Sequence, residues 1–297
     1  MITLPAKTPH RLPAHAWVGA FILVGAEAAL ASGSRLVATW FTPIQWTGYI
    51  LLADGLVFRL TGVSWLMRRR REFPLLVLAS VGVWLLFEAY NVHLQNWIYA
   101  GVPRLPIVRD LAYFWSFATI MPGVLETADL LAALLGRESP MDPADRRPER
   151  GGKAAGWIAL GAAMVALPLI LPAEAAAYLF GLIWLGFIPL LEPINARLGA
   201  ATLWANWRAG RRSSVLLLLL AGLLCGFLWE TWNYQAFVAG GAFWVYTVPA
   251  PLRIFGWRFG QMPVLGLLGF PPFALELYAF YALVRKCLGG DHVFGAQ

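Results

Sequence analysis

Charge is what this chain has least of. Only 13% of its residues are Asp, Glu, Lys or Arg, about half the share of a soluble domain, while 59% are hydrophobic. That balance excludes a soluble globular domain and calls for an integral membrane protein. Cysteine is nearly absent. Cys225 and Cys287 are too few for a disulfide scaffold or a cysteine-rich metal centre. Histidine is equally sparse, and His93 is the one away from the two ends of the chain. A di-iron carboxylate site uses Glu-x-x-His pairs. Here Asn91 and Asn233 occupy the third position after Glu88 and Glu230, so no metal is expected. There is no Walker motif, no glycine-rich phosphate loop and no Ser-His-Asp set. Gly266 and Gly269 are too close together to form a phosphate or packing motif. No cofactor is expected.

What is present is a series of apolar runs long enough for a bilayer, which takes about 20 residues per helix. Eight candidates cover 17–31, 37–58, 75–97, 111–135, 155–171, 175–194, 215–237 and 262–284. The N-terminal stretch is loosely signal-like, but its apolar run is long, so it counts as the first span. The net charge of +7 resides in short segments between the runs: Lys7 and Arg11, Arg68 to Arg71, Arg137 to Lys153, Arg208 to Arg212, and Arg285 with Lys286. That is a topology signal, and the partner it implies is the lipid bilayer rather than nucleic acid. With eight crossings every basic segment falls on one side. This predicts an inner-membrane protein with both termini cytoplasmic. The loops after the third and seventh runs then face outward, with Trp97, Tyr99, Trp244 and Tyr246 suited to an interfacial aromatic belt.

Polar and aromatic anchors recur in order. Trp17 answers Trp157, Asp54 and Arg59 answer Glu192 and Arg197, and Glu88-x-x-Asn91 answers Glu230-x-x-Asn233. Trp97-x-Tyr99 answers Trp244-x-Tyr246, and Pro122 with Glu126 answers Pro272 with Glu276. The expected fold is an all-α integral membrane protein of two parallel four-helix repeats, residues 1–136 and 154–297. They are joined by a polar cytoplasmic linker, 137–153, and related by a pseudo-twofold axis along the membrane normal.

Glu88, Glu126, Glu230 and Glu276 fall midway along their runs. A carboxylate at the bilayer centre costs about 3 kcal/mol even on the insertion scale, so these four must face the protein interior or water. One reading makes them the acids of a site. Asn91, Asn233 and the nearby aromatics Trp84, Trp115, Trp229, Trp232 and Phe273 would then contact a hydrophobic small molecule or a cation. The other reading makes them interhelical glue. Asp54 and Glu192 read as solvated helix ends, His93 as an interfacial residue, and Pro122 and Pro272 as cavity-lining bends or plain helix punctuation.

The Trp-x-Tyr, loop, Pro-x-x-x-Glu order, carried by Trp97, Tyr99, Pro122 and Glu126 and again by Trp244, Tyr246, Pro272 and Glu276, resembles the integral-membrane lycopene cyclases of the heterodimeric or fused type. The resemblance implies proton-initiated cyclisation of a carotenoid without net redox chemistry. Two departures stand out. Thr127 and Leu277 sit where that family usually has a second acid, and each repeat here has more helices. On this reading the chain is an intramembrane acid–base enzyme for a lipidic or isoprenoid substrate, with Glu126 and Glu276 as acids. The alternatives are a proton-coupled transporter and a non-catalytic lipid- or pigment-binding scaffold. The oligomeric state and the substrate itself are left open by the sequence.

Overall fold

The computed structural model describes residues 10–142 and 153–290. Lys7, Arg146, Arg147, Arg150 and most of the 137–153 linker lie outside them. The described residues are mostly helical. In order they form α1 (Ala14–Ala31), α2 (Arg35–Thr39), α3 (Phe41–Thr61), α4 (Phe73–Leu94), β1 (Trp97–Ala100), α5 (Pro106–Ala118) and α6 (Ile120–Leu134). After the linker come α7 (Ala154–Ile170), α8 (Ala173–Ala176), α9 (Phe180–Leu198), α10 (Leu203–Arg208), α11 (Arg212–Val238), β2 (Phe243–Tyr246), β3 (Arg258–Phe259), β4 (Met262–Pro263), α12 (Val264–Leu267) and α13 (Phe270–Cys287).

Six helical stretches are long and apolar enough to cross a membrane: Ala14–Ala31, Phe73–Leu94, Pro106–Leu134, Ala173–Leu198, Arg212–Val238 and Val264–Cys287. The chain is therefore a multi-pass membrane protein by its helices. Two of the eight expected spans fall short of that standard. α7 is apolar but has only 17 residues. α3 is long enough, yet it carries Gln45, Asp54 and Arg59. Its polarity has a physical cause, because α3 is wedged between α1 and α6 and Gln45 and Asp54 are buried there.

Three boundaries differ from the sequence expectation. The run 75–97 stops as a helix at Leu94, where Gln95 takes a left-handed conformation (φ 51°) and turns the chain into β1. The run 111–135 is two helices, α5 and α6, broken at Thr119. The last run starts with the short β3–β4 hairpin and α12, and its long helix begins only at Phe270. The fold is thus not purely helical. β1 and β2 pair antiparallel, Trp97 opposite Tyr246 and Tyr99 opposite Trp244, tying the two parts of the chain together through their backbones.

Four helices, α4, α6, α11 and α13, make the centre, and the hairpins α1–α3 and α7–α9 flank it. Lipid offers apolar side chains no incentive to leave it, so helices associate in membranes by close packing and hydrogen bonds. Both flanking hairpins show this. A Cβ on Gly19 of α1 would lie 2.5 Å from the Gly48 carbonyl of α3, and one on Gly161 of α7 would lie 2.4 Å from the Leu190 nitrogen of α9. The outer faces are apolar and exposed, as Leu78, Leu85 and Val92 are along one stripe of α4. Such a surface belongs in hydrocarbon.

Polar groups are pinned with economy. Asp54, which sequence reading put at a solvated helix end, is fully buried. It accepts bonds from the Leu66 backbone N–H (2.9 Å) and the Ser64 hydroxyl (2.9 Å), and His15 Nε2 lies 2.9 Å away. Glu192 accepts the Trp204 backbone N–H at 3.0 Å. In both cases a carboxylate holds the loop that follows its own helix, across the same sequence separation of 12 residues. His93 joins the end of α4 to the Leu171 carbonyl at 2.9 Å.

At the basic end, Glu72 is buried beside Arg69 (3.0 Å), Arg285 (2.7 Å) and the Tyr281 hydroxyl, locking the start of α4 to the end of α13. Burial alone would raise its carboxyl above the ordinary carboxylate value, but Arg69, Tyr281 and Arg285 outweigh burial and hold it below that value. Removing one partner of a buried ion pair costs about 3 kcal/mol or more, so Glu72→Gln is expected to lower the thermal midpoint in detergent by several degrees. A depressed carboxyl stabilises the fold fully above its ordinary value and less as pH falls through its folded value. The wild-type midpoint should therefore drop more steeply than that of Glu72→Gln once the pH is below about 4.5. Parallel acid limbs in circular-dichroism melts would contradict this.

Candidate functional site

Strand geometry sets the site. Alternate residues of a strand point to the same face, and directly opposed residues of a pair share it. In the β1–β2 register this gathers Trp97, Tyr99, Trp244 and Tyr246 on one face and leaves Ile98 and Val245 on the other. Those four aromatics form part of the wall of a cavity of about 490 Å³, within the range of small-molecule sites. Both parts of the chain contribute. Trp84 of α4, Tyr113 and Phe117 of α5, Phe180 and Trp184 of α9, Trp229 of α11, and Phe270 and Phe273 of α13 add to the aromatic lining, with Tyr178 and Phe243. Among the described residues, no Asp, Glu, Lys, Arg or His lines it. Inside the wall the rings touch one another. Trp184 stands edge-on to Phe273 at 4.7 Å, and Trp84 lies 5.9 Å from both Trp97 and Phe273.

The carboxylates stand behind this wall. Glu88 accepts the indole N–H of Trp84 (2.9 Å), the indole N–H of Trp97 (3.0 Å) and the hydroxyl of Tyr99 on one oxygen. Glu230 is fully buried; it accepts the Gln261 backbone N–H and bonds with Tyr246. The Trp244 indole in turn donates to the Tyr246 hydroxyl at 2.8 Å. Burial first, and then the neighbouring carboxylate, hold both phenols well above the usual tyrosine range, Glu88 for Tyr99 and Glu230 for Tyr246. The two phenols therefore stay neutral at ordinary pH.

The other sequence candidates sit elsewhere. Glu126 and Glu276 are fully buried and are not wall residues. Glu126 lies within reach of the Asp54 and Asp129 charges. Glu276 accepts the Phe187 backbone N–H at 3.1 Å, where α13 meets α9. Trp84, Trp229 and Phe273 line the cavity, and Trp115 and Trp232 do not. Trp115 donates to Thr47 at 2.9 Å, and Trp232 packs edge-on against Trp46 at 4.9 Å.

Asn91 and Asn233 hold backbone. The Asn91 amide donates to the Trp97 carbonyl (2.8 Å), and its oxygen accepts the N–H groups of Asn96 (2.8 Å) and Trp97 (3.1 Å). The Asn233 amide donates to the Trp244 carbonyl (3.0 Å), and its oxygen accepts the Trp244 N–H (2.9 Å). Each asparagine thus acts as a short piece of strand and fixes the tryptophan at the start of the aromatic face.

Sequence reasoning placed Trp97, Tyr99, Trp244 and Tyr246 in an interfacial belt and passed over Trp184, Phe180, Phe117, Tyr113 and Phe270. The alternation Trp-x-Tyr was the available signal, since it is the period of a strand.

No family model matches this chain, and no curated protein and no solved structure is similar to it.

Removing an asparagine side chain leaves a buried backbone N–H and carbonyl without partners, at about 1–3 kcal/mol per group. Asn91→Ala and Asn233→Ala should each destabilise the protein in detergent melts. Each should also speed amide hydrogen exchange at its own tryptophan, Trp97 or Trp244. Unchanged exchange at both positions would refute the strand-holding role.

Proposed function

We propose that the chain is an inner-membrane protein of two related four-helix halves, crossing the bilayer eight times, that holds a neutral lipidic or isoprenoid molecule in the cavity between them. Its chemistry on that molecule is proton transfer without a cofactor. The observation that carries the reading is the cavity itself: large, aromatic, free of ionised side chains on its wall, and backed by a Tyr–Glu pair from each half. The duplication is supported by three matched devices: the carboxylate loop latches of Asp54 and Glu192, the strand holds of Asn91 and Asn233, and the symmetric β1–β2 register.

The proton-bearing groups that reach the wall are the Tyr99 and Tyr246 hydroxyls, each backed by a glutamate. A proton passed to an alkene carbon, and one taken back from the carbon next to the resulting cation, leave the site as it began with no net oxidation. Glu126 and Glu276, being away from the wall, serve the helix packing around it.

A carrier that binds the same molecule without changing it is the second reading. It is favoured by the three donors on Glu88, all of which come from the protein's own wall.

Three measurements test the proposal. A Cβ at Gly181, on the cavity lining, would meet no atom within 4 Å, so Gly181→Leu should fold normally and fill space. Lipid extracts of the purified wild type should contain an apolar molecule that Gly181→Leu lacks, and equal extracts would sink the binding reading. Tyr99→Phe should still carry the molecule; if the protein is an enzyme, the bound form should then shift from product to substrate. For the topology, cysteines placed at Arg137 and Ile98 in a Cys287→Ser background should label from opposite sides of sealed vesicles.

A further inference from the structure

We propose that the aromatic cavity is selective for positive charge, and that it holds a lipophilic cation in preference to an anion of the same shape. The inference rests on reading the cavity as a ligand site and goes on to name the charge it takes. Aromatic faces carry negative potential and attract cations, most strongly where water is excluded. Here the faces are strengthened from behind. Trp84 and Trp97 donate their indole N–H groups to the same oxygen of Glu88, and an indole that donates to a carboxylate is more electron-rich on its open face. Glu230 stands behind Tyr246 in the same way.

Among the described residues, no lysine, arginine or histidine lines the cavity to oppose this. Arg109, close to Tyr113, is paired with Asp110 at 3.1 Å. Arg253 donates its Nε–H to the carbonyl of the lining residue Val248 at 2.8 Å, and its charge works against the preference. The wall thus offers the field of two carboxylates through a layer of rings, without a carboxylate in contact. This suits a delocalised or shielded cation better than a small hydrated one.

Tetraphenylphosphonium and tetraphenylborate are nearly the same size and opposite in charge. Titrated against detergent-purified protein and read by quenching of tryptophan fluorescence, the phosphonium should bind about tenfold tighter or more. Gly181→Leu should weaken the binding of both ions. Glu88→Gln with Glu230→Gln should bring the two affinities to within about threefold, and each single variant should act in the same direction if the pair does not fold. A borate affinity equal to or above the phosphonium's in the wild type would overturn the inference, as would a preference unchanged in the glutamine variants. Diphenylhexatriene, a neutral probe, separates the two levels. If it binds, is lost in Gly181→Leu, and no charge preference is seen, the ligand site stands and only the charge selectivity falls. If no probe responds to Gly181→Leu, both fall.

Discussion

A polar atom inside hydrocarbon has to find its partner within the protein, and most of this structure follows from how that demand is met. Most of the interior carboxylates are given to specific donors: backbone N–H groups for Asp54, Glu192, Glu230 and Glu276, indoles and a phenol for Glu88, and two arginines for Glu72. Glu126, fully buried with neither oxygen bonded, is the exception. Because helices already satisfy their own backbones, the free N–H groups available to a carboxylate occur chiefly where a helix ends or bends. The donors of Asp54, Glu192 and Glu230 accordingly sit at such places, at Leu66, Trp204 and Gln261. Breaks of this kind bring loops, strands and aromatic rings inward, beside the cavity.

The helical frame was legible in the sequence because hydropathy integrates over 20 or so residues and tolerates local error. Partnerships were not. The pairing of Glu72 with Arg285 joins residues far apart in the chain, and nothing local distinguishes Glu72 from any other loop acid. Asp54 was misjudged for the same reason, since its partners Ser64 and Leu66 lie across a turn whose course no periodicity reveals. α3 looked like an ordinary span with awkward polar residues; its neighbours α1 and α6 remove it from lipid and make those residues tolerable.

The site was half legible. Glu88 and Glu230 drew notice as acids in apolar surroundings, and Trp84, Trp229 and Phe273 as aromatics near them. The step that sequence could not take was from helix to strand at Trp97 and Trp244. A four-residue strand is too short for alternation to outweigh the reading of Trp and Tyr as membrane-interface residues. The structure resolves it through Gln95, whose left-handed turn redirects the chain, and through Asn91, which lies one helical turn earlier and catches Trp97 as it arrives. The asparagines at the third position after each glutamate are the hooks on which the aromatic face hangs, and Asn233 also donates to Glu230 at 3.4 Å.

The β1–β2 ladder also imposes an order of assembly. Trp97 to Ala100 emerge from the ribosome long before Phe243 to Tyr246 exist, and no nearer strand pairs with them. The first half therefore enters the bilayer with an open seam of backbone donors and acceptors, to be closed only when the second half arrives. Once closed, that seam staples the earlier and later parts of the chain together. Any motion of one against the other must then either pivot about that ladder or break its backbone hydrogen bonds.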